Sequence, residues 1–131
     1  MDIYEIMELF KNSECLNNII YINSDLYKTI KTVKEFFGYD ILKEIIVIDK
    51  RNDDYELIYN LYSTANDEEC RISITVKNEA ESVADLFPSA KADENEIFDM
   101  FGLQFIGNDD LKRLYMPENW EGNPLRKDYV N

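Results

Sequence analysis

Three stretches of strand-like pattern, separated by short polar turns, dominate what this chain can fold into. Tyr55, Leu57, Tyr59 and Leu61 alternate with other residues over 55–63, which puts all four on one face of a strand. Ile72-Ser73-Ile74-Thr75-Val76 alternates as cleanly. Upstream, Ile45-Ile46-Val47-Ile48 is β-branched and continuous, the pattern of a strand at a sheet centre or covered on both faces. Arg51-Asn52-Asp53-Asp54 and Asn66-Asp67-Glu68-Glu69 are the turns between them. Three consecutive strands joined this way predict an antiparallel meander.

Helical patterns flank the meander. Ile3, Ile6, Met7 and Phe10 predict a short amphipathic helix over residues 2–11. Ile19-Ile20-Tyr21-Ile22 reads as a brief strand. Ser24 then offers a capping hydroxyl to a helix whose stripe is Leu26, Ile30, Val33 and Phe37. Gly38 fits the left-handed cap at its end. Glu81 to Phe87 predicts a short helix closed by Pro88, and residues 90–101 a longer one stopped at Gly102. One short strand is expected in 103–107. The sum is a single α+β domain, two-layered, with helices packed on one face of a mostly antiparallel sheet and an extended C-terminal arm.

Composition narrows the function. The net charge of −13 repels phosphate backbones and anionic lipid, so nucleic acid is excluded as a partner and a basic protein surface is the natural complement. With no histidine in the chain, Ser-His-Asp and Cys-His relays and His-based metal sites are excluded. Cys15 and Cys70 form no CxxC, so no zinc or iron–sulfur site is signalled, and a disulfide between them is left open. The four glycines make neither GxGxxG nor a P-loop. No run approaches the ~18 apolar residues of a membrane helix, and the acidic N-terminus is unlike a signal peptide. The expectation is a soluble, cytoplasmic chain.

Several clusters have two readings each. Glu94, Glu96 and Asp99 lie on the 90–101 helix, with Glu96 and Asp99 at i, i+3. They form either a carboxylate pair for acid–base or metal chemistry, or acids that favour the helix dipole and keep the surface wet. Tyr55, Tyr59 and Tyr62 sit among acids, which suits sheet packing better than nucleotide stacking. Lys112, Arg113, Arg126 and Lys127 gather near the end of an acidic chain. They pair internally with its body, or pin an arm carrying Pro117, Trp120 and Pro124 to another subunit. Composition leaves that choice even.

Residues 94–129, read as E-x-E-I-F-D-M-F-G-L-x-F-x-G-x-x-x-L-x-R-x-x-M-P-E-x-W-x-G-x-P-L-R-K-D-Y, resemble the signature of the thirty-kilodalton subunit of respiratory complex I, an NADH dehydrogenase. The same module occurs in energy-converting nickel–iron hydrogenases. Tyr59-Asn60-Leu61-Tyr62-Ser63 and Ser82-Val83-Ala84-Asp85-Leu86-Phe87-Pro88 are also similar, so the likeness spans most of the chain. It implies a non-catalytic subunit with no cofactor of its own, iron–sulfur clusters and nickel–iron or flavin residing in its partners. It further implies packing beside the large subunit related to the nickel–iron hydrogenase catalytic subunit and near an iron–sulfur small subunit, peripheral at the cytoplasmic face of the membrane.

By that resemblance, residues 1–116 are the domain and 117–131 an assembly arm, which turns the even choice towards the interface. The implied partner-contacting residues are Glu96, Asp99, Phe101, Arg113, Pro117, Trp120, Pro124, Leu125, Arg126, Lys127, Asp128 and Tyr129. Two departures stand out: Asn95 where the family usually has arginine, and Asn108 where it has histidine. Their loss of cations beside an acidic helix suggests an altered partner surface. A hydrogenase-type or otherwise minimal complex is favoured over a full complex I. The alternatives are a stand-alone acidic adaptor and a carboxylate enzyme using Glu96 and Asp99.

Overall fold

The computed structural model describes residues 19–108 and, apart from them, Glu8 alone. Apart from Glu8, the predicted helix over 2–11 lies outside the described residues, as do the arm from residue 117 and Cys15. A strand at Ile19–Ile22 (β1) leads to a helix at Leu26–Phe37 (α1) and then to strands Ile41–Arg51 (β2), Asp54–Ser63 (β3) and Glu68–Val76 (β4). A strand at Glu79–Glu81 (β5), a helix at Ala90–Phe101 (α2) and a strand at Gln104–Ile106 (β6) follow.

The meander forms as expected. β2 pairs antiparallel with β3, and β3 with β4. The β2–β3 turn centres on Asn52 and Asp53, whose φ values of 54° and 65° suit a primed hairpin turn and residues that tolerate left-handed backbone. The inward face carries Tyr55, Leu57, Tyr59 and Leu61 of β3 with Cys70, Ile72 and Ile74 of β4, all buried. Tyr55 and Tyr59 are thus core residues. Tyr62 points the other way, where its hydroxyl donates to Asp67.

Three features differ from expectation. First, the sheet order is β1-β4-β3-β2, so the continuous run Ile45–Ile48 lies in an edge strand rather than at the centre. Ile45, Ile46 and Val47 are half-buried and Ile48 is 41% exposed. The edge tolerates this because the region of α2 supplies main-chain partners. Ser89 Oγ donates to the Leu42 carbonyl at 3.4 Å, and the Ile45 N–H donates to the Asp93 carboxyl. A covered edge strand resists pairing with other chains.

Second, residues 83–87 form a turn, not a helix. The N–H groups of Leu86 and Phe87 both donate to the Val83 carbonyl, at 3.0 and 2.9 Å. Val83, Leu86 and Phe87 have helical spacing, yet the chain makes only this turn before Pro88. Just before it, the Ser82 N–H is taken by Ile106 of β6, at 2.8 Å. Third, Ser24 does not cap α1. Its hydroxyl donates to Asn23 at 3.4 Å, and Asp25, in left-handed backbone at φ 57°, occupies the cap position without making a side-chain capping hydrogen bond to the helix. Gly38 closes α1 as anticipated, at φ 77°.

β1 pairs parallel with β4, so β1, α1 and β2 make a crossover from one sheet edge to the other. Leu26, Ile30 and Val33 of α1 are buried. Three polar contacts tie α1 to the segment after the sheet. Tyr27 Oη donates to Asp85 at 2.9 Å and the Tyr27 N–H to Glu81 at 3.3 Å. Lys34 Nζ donates to the Leu86 carbonyl at 2.6 Å while lying 5.0 Å from the Phe87 ring centroid.

Leu61→Ala is expected to cost about 2–5 kcal/mol by opening a cavity under the helices. Tyr59→Phe should hold or raise stability, because the Tyr59 hydroxyl is buried without a hydrogen-bond partner among the described residues. Urea denaturation of both variants checks the pair. A large loss in Tyr59→Phe would contradict this account of the core.

Candidate functional site: an acid-rimmed apolar cleft

Helix α2 brings a set of carboxylates beside apolar surface. It runs from Ala90 to a left-handed cap at Gly102, whose φ is 75° and whose N–H donates to the Phe98 carbonyl at 2.8 Å. Its two working sides differ.

One side is a buried polar clamp. Glu94 is completely buried. Its Oε1 accepts from Ser82 Oγ at 2.7 Å and from Asn108 Nδ2 at 2.9 Å, and its Oε2 accepts from the Val83 N–H at 2.9 Å. One carboxylate therefore joins α2 to the chain leaving β5 and to Asn108, the second residue after β6. Burial pushes the Glu94 carboxyl up from its ordinary value, and these three hydrogen bonds oppose that shift.

The other side faces β2. There a cleft of about 230 Å³ is lined by Ile45 and Val47 of β2 and by Asp93, Glu96, Ile97, Met100 and Phe101 of α2. Asp93, Ile97 and Met100 fall at i, i+4 and i+7, one helical stripe. Burial pushes the Asp93 carboxyl up, as do the charges of Glu96 and Glu44, while the Ile45 N–H holds it partly down. The cleft has an apolar floor under an acidic mouth.

The implied contact residues separate here. Glu96 is exposed at the cleft rim and Phe101 forms part of its wall. Phe101 also packs edge-on against Tyr55, with ring centroids 5.4 Å apart and planes at 68°, so it serves the core as well. Asp99 is completely buried and engaged in an interaction of its own. Glu96 and Asp99 thus stand in different settings, one exposed and the other fully buried. The acids of α2 do not merely wet a surface, since Glu94 and Asp99 are interior. Among the described residues, no three His, Cys, Asp or Glu side chains form a set that could hold a metal ion. Arg113, Pro117, Trp120, Pro124, Leu125, Arg126, Lys127, Asp128 and Tyr129 lie outside the described residues.

Sequence reasoning missed the clamp. Ser82, Asn108 and Glu94 are distant in sequence, and an acid near a helix start ordinarily signals only favourable dipole placement. Asn108 and Asn95 are both buried, so their departures from the family pattern act inside the fold and do not by themselves alter an exposed partner surface. Cys70 is a free, buried thiol whose pKa burial raises to about 12, which leaves it inert.

Comparison with known proteins adds a family. The family model described as "Respiratory-chain NADH dehydrogenase, 30 Kd subunit" matches residues 20–131. The C-type subunit of NADH-quinone oxidoreductase from Moorella thermoacetica is 31% identical, over 97% of this chain and 92% of that protein. The C/D protein of the same enzyme from Acidiphilium cryptum is 34% identical over 70% of this chain, which there corresponds to 18% of the longer protein. A chain in the structure of an archaeal respiratory membrane complex, the membrane-bound sulfane sulfur reductase, shares the fold with a TM-score of 0.73. It is 21% identical, and the match covers 86% of this chain and 71% of that one.

A carboxyl raised by folding binds its proton more tightly in the native state. Its contribution is therefore lost as pH rises through the raised value and present below the unfolded one. Asp93 and Glu94 are the described carboxyls shifted this way, and the chain has no imidazole to titrate near neutrality. The contribution of these two groups to stability is expected to grow as pH falls from neutrality towards the ordinary carboxylate range, by at most about 1.4 kcal/mol per pH unit per proton. Glu94→Gln should flatten that slope. Glu94→Ala should flatten it and also cost about 1–3 kcal/mol by stranding three donors. Urea midpoints measured across this range test the assignment, and an unchanged slope in both variants would refute it.

Proposed function

We infer the function from one premise: this chain belongs to the family of the respiratory-chain NADH dehydrogenase 30 Kd subunit. It is a subunit of the NADH-quinone oxidoreductase and membrane-bound respiratory complex type. Within such a complex its proposed role is docking and assembly. It packs in the hydrophilic arm beside the large subunit related to the nickel–iron hydrogenase catalytic subunit, with an iron–sulfur small subunit nearby. It holds no cofactor itself; iron–sulfur clusters and nickel–iron or flavin belong to the partners. It supports electron transfer coupled to ion pumping without touching the reacting groups. It sits peripherally at the cytoplasmic face, carried there by its partners, and no described helix is long and apolar enough to cross a membrane.

The observation that carries this reading is the reach of the family match, which runs from residue 20 through the Pro-, Trp- and Arg-containing arm to residue 131. A fold resemblance alone leaves function open, because function resides in sites. Here the match includes the segment whose composition suits an interface: aromatic and arginine anchors on a proline-stiffened arm. The apolar cleft with an exposed acid at its rim gives the domain a second surface of the same character.

The decisive experiment purifies the tagged chain from native membranes in mild detergent without oxygen, with mass spectrometry and metal analysis of what accompanies it. A large subunit with iron–sulfur and membrane subunits is expected. Nickel would identify a hydrogenase-type complex, and flavin with NADH-oxidising subunits a complex I. Trp120→Ala and Arg126→Ala should each reduce recovery of partners, at about 2 kcal/mol or roughly thirty-fold in affinity for an interface anchor. Melting of the isolated chain should not change. Variants that unfold would place the arm in the core, and recovery of the chain alone would favour the adaptor.

A further inference from the structure

We propose that the cleft between β2 and α2 seats a basic, apolar-anchored segment of a neighbouring subunit: a lysine or arginine beside a leucine-, isoleucine- or methionine-sized side chain. This deepens the docking reading and rests on it.

Shape and charge specify the occupant together. Ile45, Val47, Ile97 and Met100 provide an apolar floor, and the volume of about 230 Å³ is several times the roughly 30 Å³ of one water. An aliphatic side chain entering there would remove apolar surface from water on both partners. At the mouth, Asp93 and Glu96 crowd each other, and Glu44 adds a third negative charge felt at Asp93. Lys43 pairs with Glu69, Lys50 with Glu56 and Lys77 with Asp54, none of them with an acid of the mouth. The acidic mouth is therefore a region of like-charge repulsion that an incoming cation relieves. Displacing water from the apolar floor lowers the local dielectric and strengthens that attraction.

The same observations weigh against other occupants. A second copy of this chain carries its own net charge of −13 and would be repelled over most approaches. The described chain ends on the far side of α2 from the cleft. Asn108, where the described residues end, is held against Glu94, which faces β5 and β6, whereas the cleft faces β2. Addition of a partner strand to β2 is hindered where Asp93 and Ser89 already engage its main chain.

The test uses the full chain in its complex. A diazirine analogue of methionine is placed at Met100, the complex is isolated from native membranes, and irradiation is followed by peptide mass spectrometry. The expected cross-link joins position 100 to a segment of another subunit that has a lysine or arginine within three residues of the captured one. Glu96→Lys, at an exposed position, should lower the cross-link yield about tenfold while leaving the circular dichroism spectrum unchanged. Raised salt should lower the yield in the unsubstituted chain. Capture of residues 109–131 of the same chain, of a second copy, or of a segment without basic residues would overturn the inference. So would an intact complex in which position 100 captures nothing, or a yield indifferent to Glu96→Lys. In each of those cases the partners still co-purify, and only the cleft assignment fails. Recovery of the chain without any partner would instead remove the docking reading and this inference with it.

Discussion

Glu94 fixes the pose of α2, and much of what the domain presents depends on that pose. A carboxylate with no exposed surface is costly to bury, and no cation neutralises it among its described contacts. Three donors from Ser82, Val83 and Asn108 offset the cost, and they come from two separate chain segments. Such a site is satisfied only when both segments are correctly placed, so the clamp favours one arrangement of α2 over near alternatives. The short parallel pair β5–β6 acts with it, since the Ser82 N–H bonds to Ile106 while the Ser82 hydroxyl bonds to Glu94.

Holding Glu94 inward dictates what the neighbouring turns of α2 show to β2. Asp93, one residue earlier, reaches the main chain of the edge strand, and Ile97 and Met100 follow along the same stripe. A gap remains between helix and strand, lined by Ile45 and Val47 on the strand side. The cleft is thus a by-product of two constraints, a helix clamped from one side and an edge strand protected from the other. Its acidic mouth follows from the same geometry, as Asp93 must approach the strand to accept the Ile45 N–H and Glu96 comes one turn later.

What could be read from sequence was what local physics specifies. The alternation through Tyr55 to Leu61 and Ile72 to Val76, the turn at Asn52-Asp53, and the terminal glycines Gly38 and Gly102 each depend on a few adjacent residues, and each appears where expected. The continuous run Ile45–Ile48 was ambiguous for a physical reason: burial at a sheet centre and partial cover by a helix at an edge select the same residue types. Val83, Leu86 and Phe87 have helical spacing but make only one turn, because tertiary bonds fix the backbone at Ser82. The parallel β1–β4 pairing and the Glu94 clamp join residues far apart in sequence, and no local pattern encodes them. The family signature did span Ser82, Glu94 and Asn108, yet as a motif it marked membership without saying that these side chains meet.

The burial of Asn95 and Asn108 changes what a departure from the family pattern means. If a cation stood at position 108, the buried carboxylate would have a charge partner, and the clamp would be an ion pair with its own desolvation cost. The neutral amide keeps the hydrogen bond to Glu94 and leaves the negative charge uncompensated at that point. Relief has to come from proton uptake or from hydrogen bonding alone. On the docking reading, this separates two roles along one helix. The inward acid, Glu94, sets shape and needs no partner chain. The outward acids, Asp93 and Glu96, remain without an ion pair in the described fold and gain most from a cation brought by a neighbour. A strongly acidic subunit that keeps such charge beside an apolar floor is selective in what it accepts: a basic segment gains from both features, an apolar one gains from the floor alone, and an acidic one is turned away.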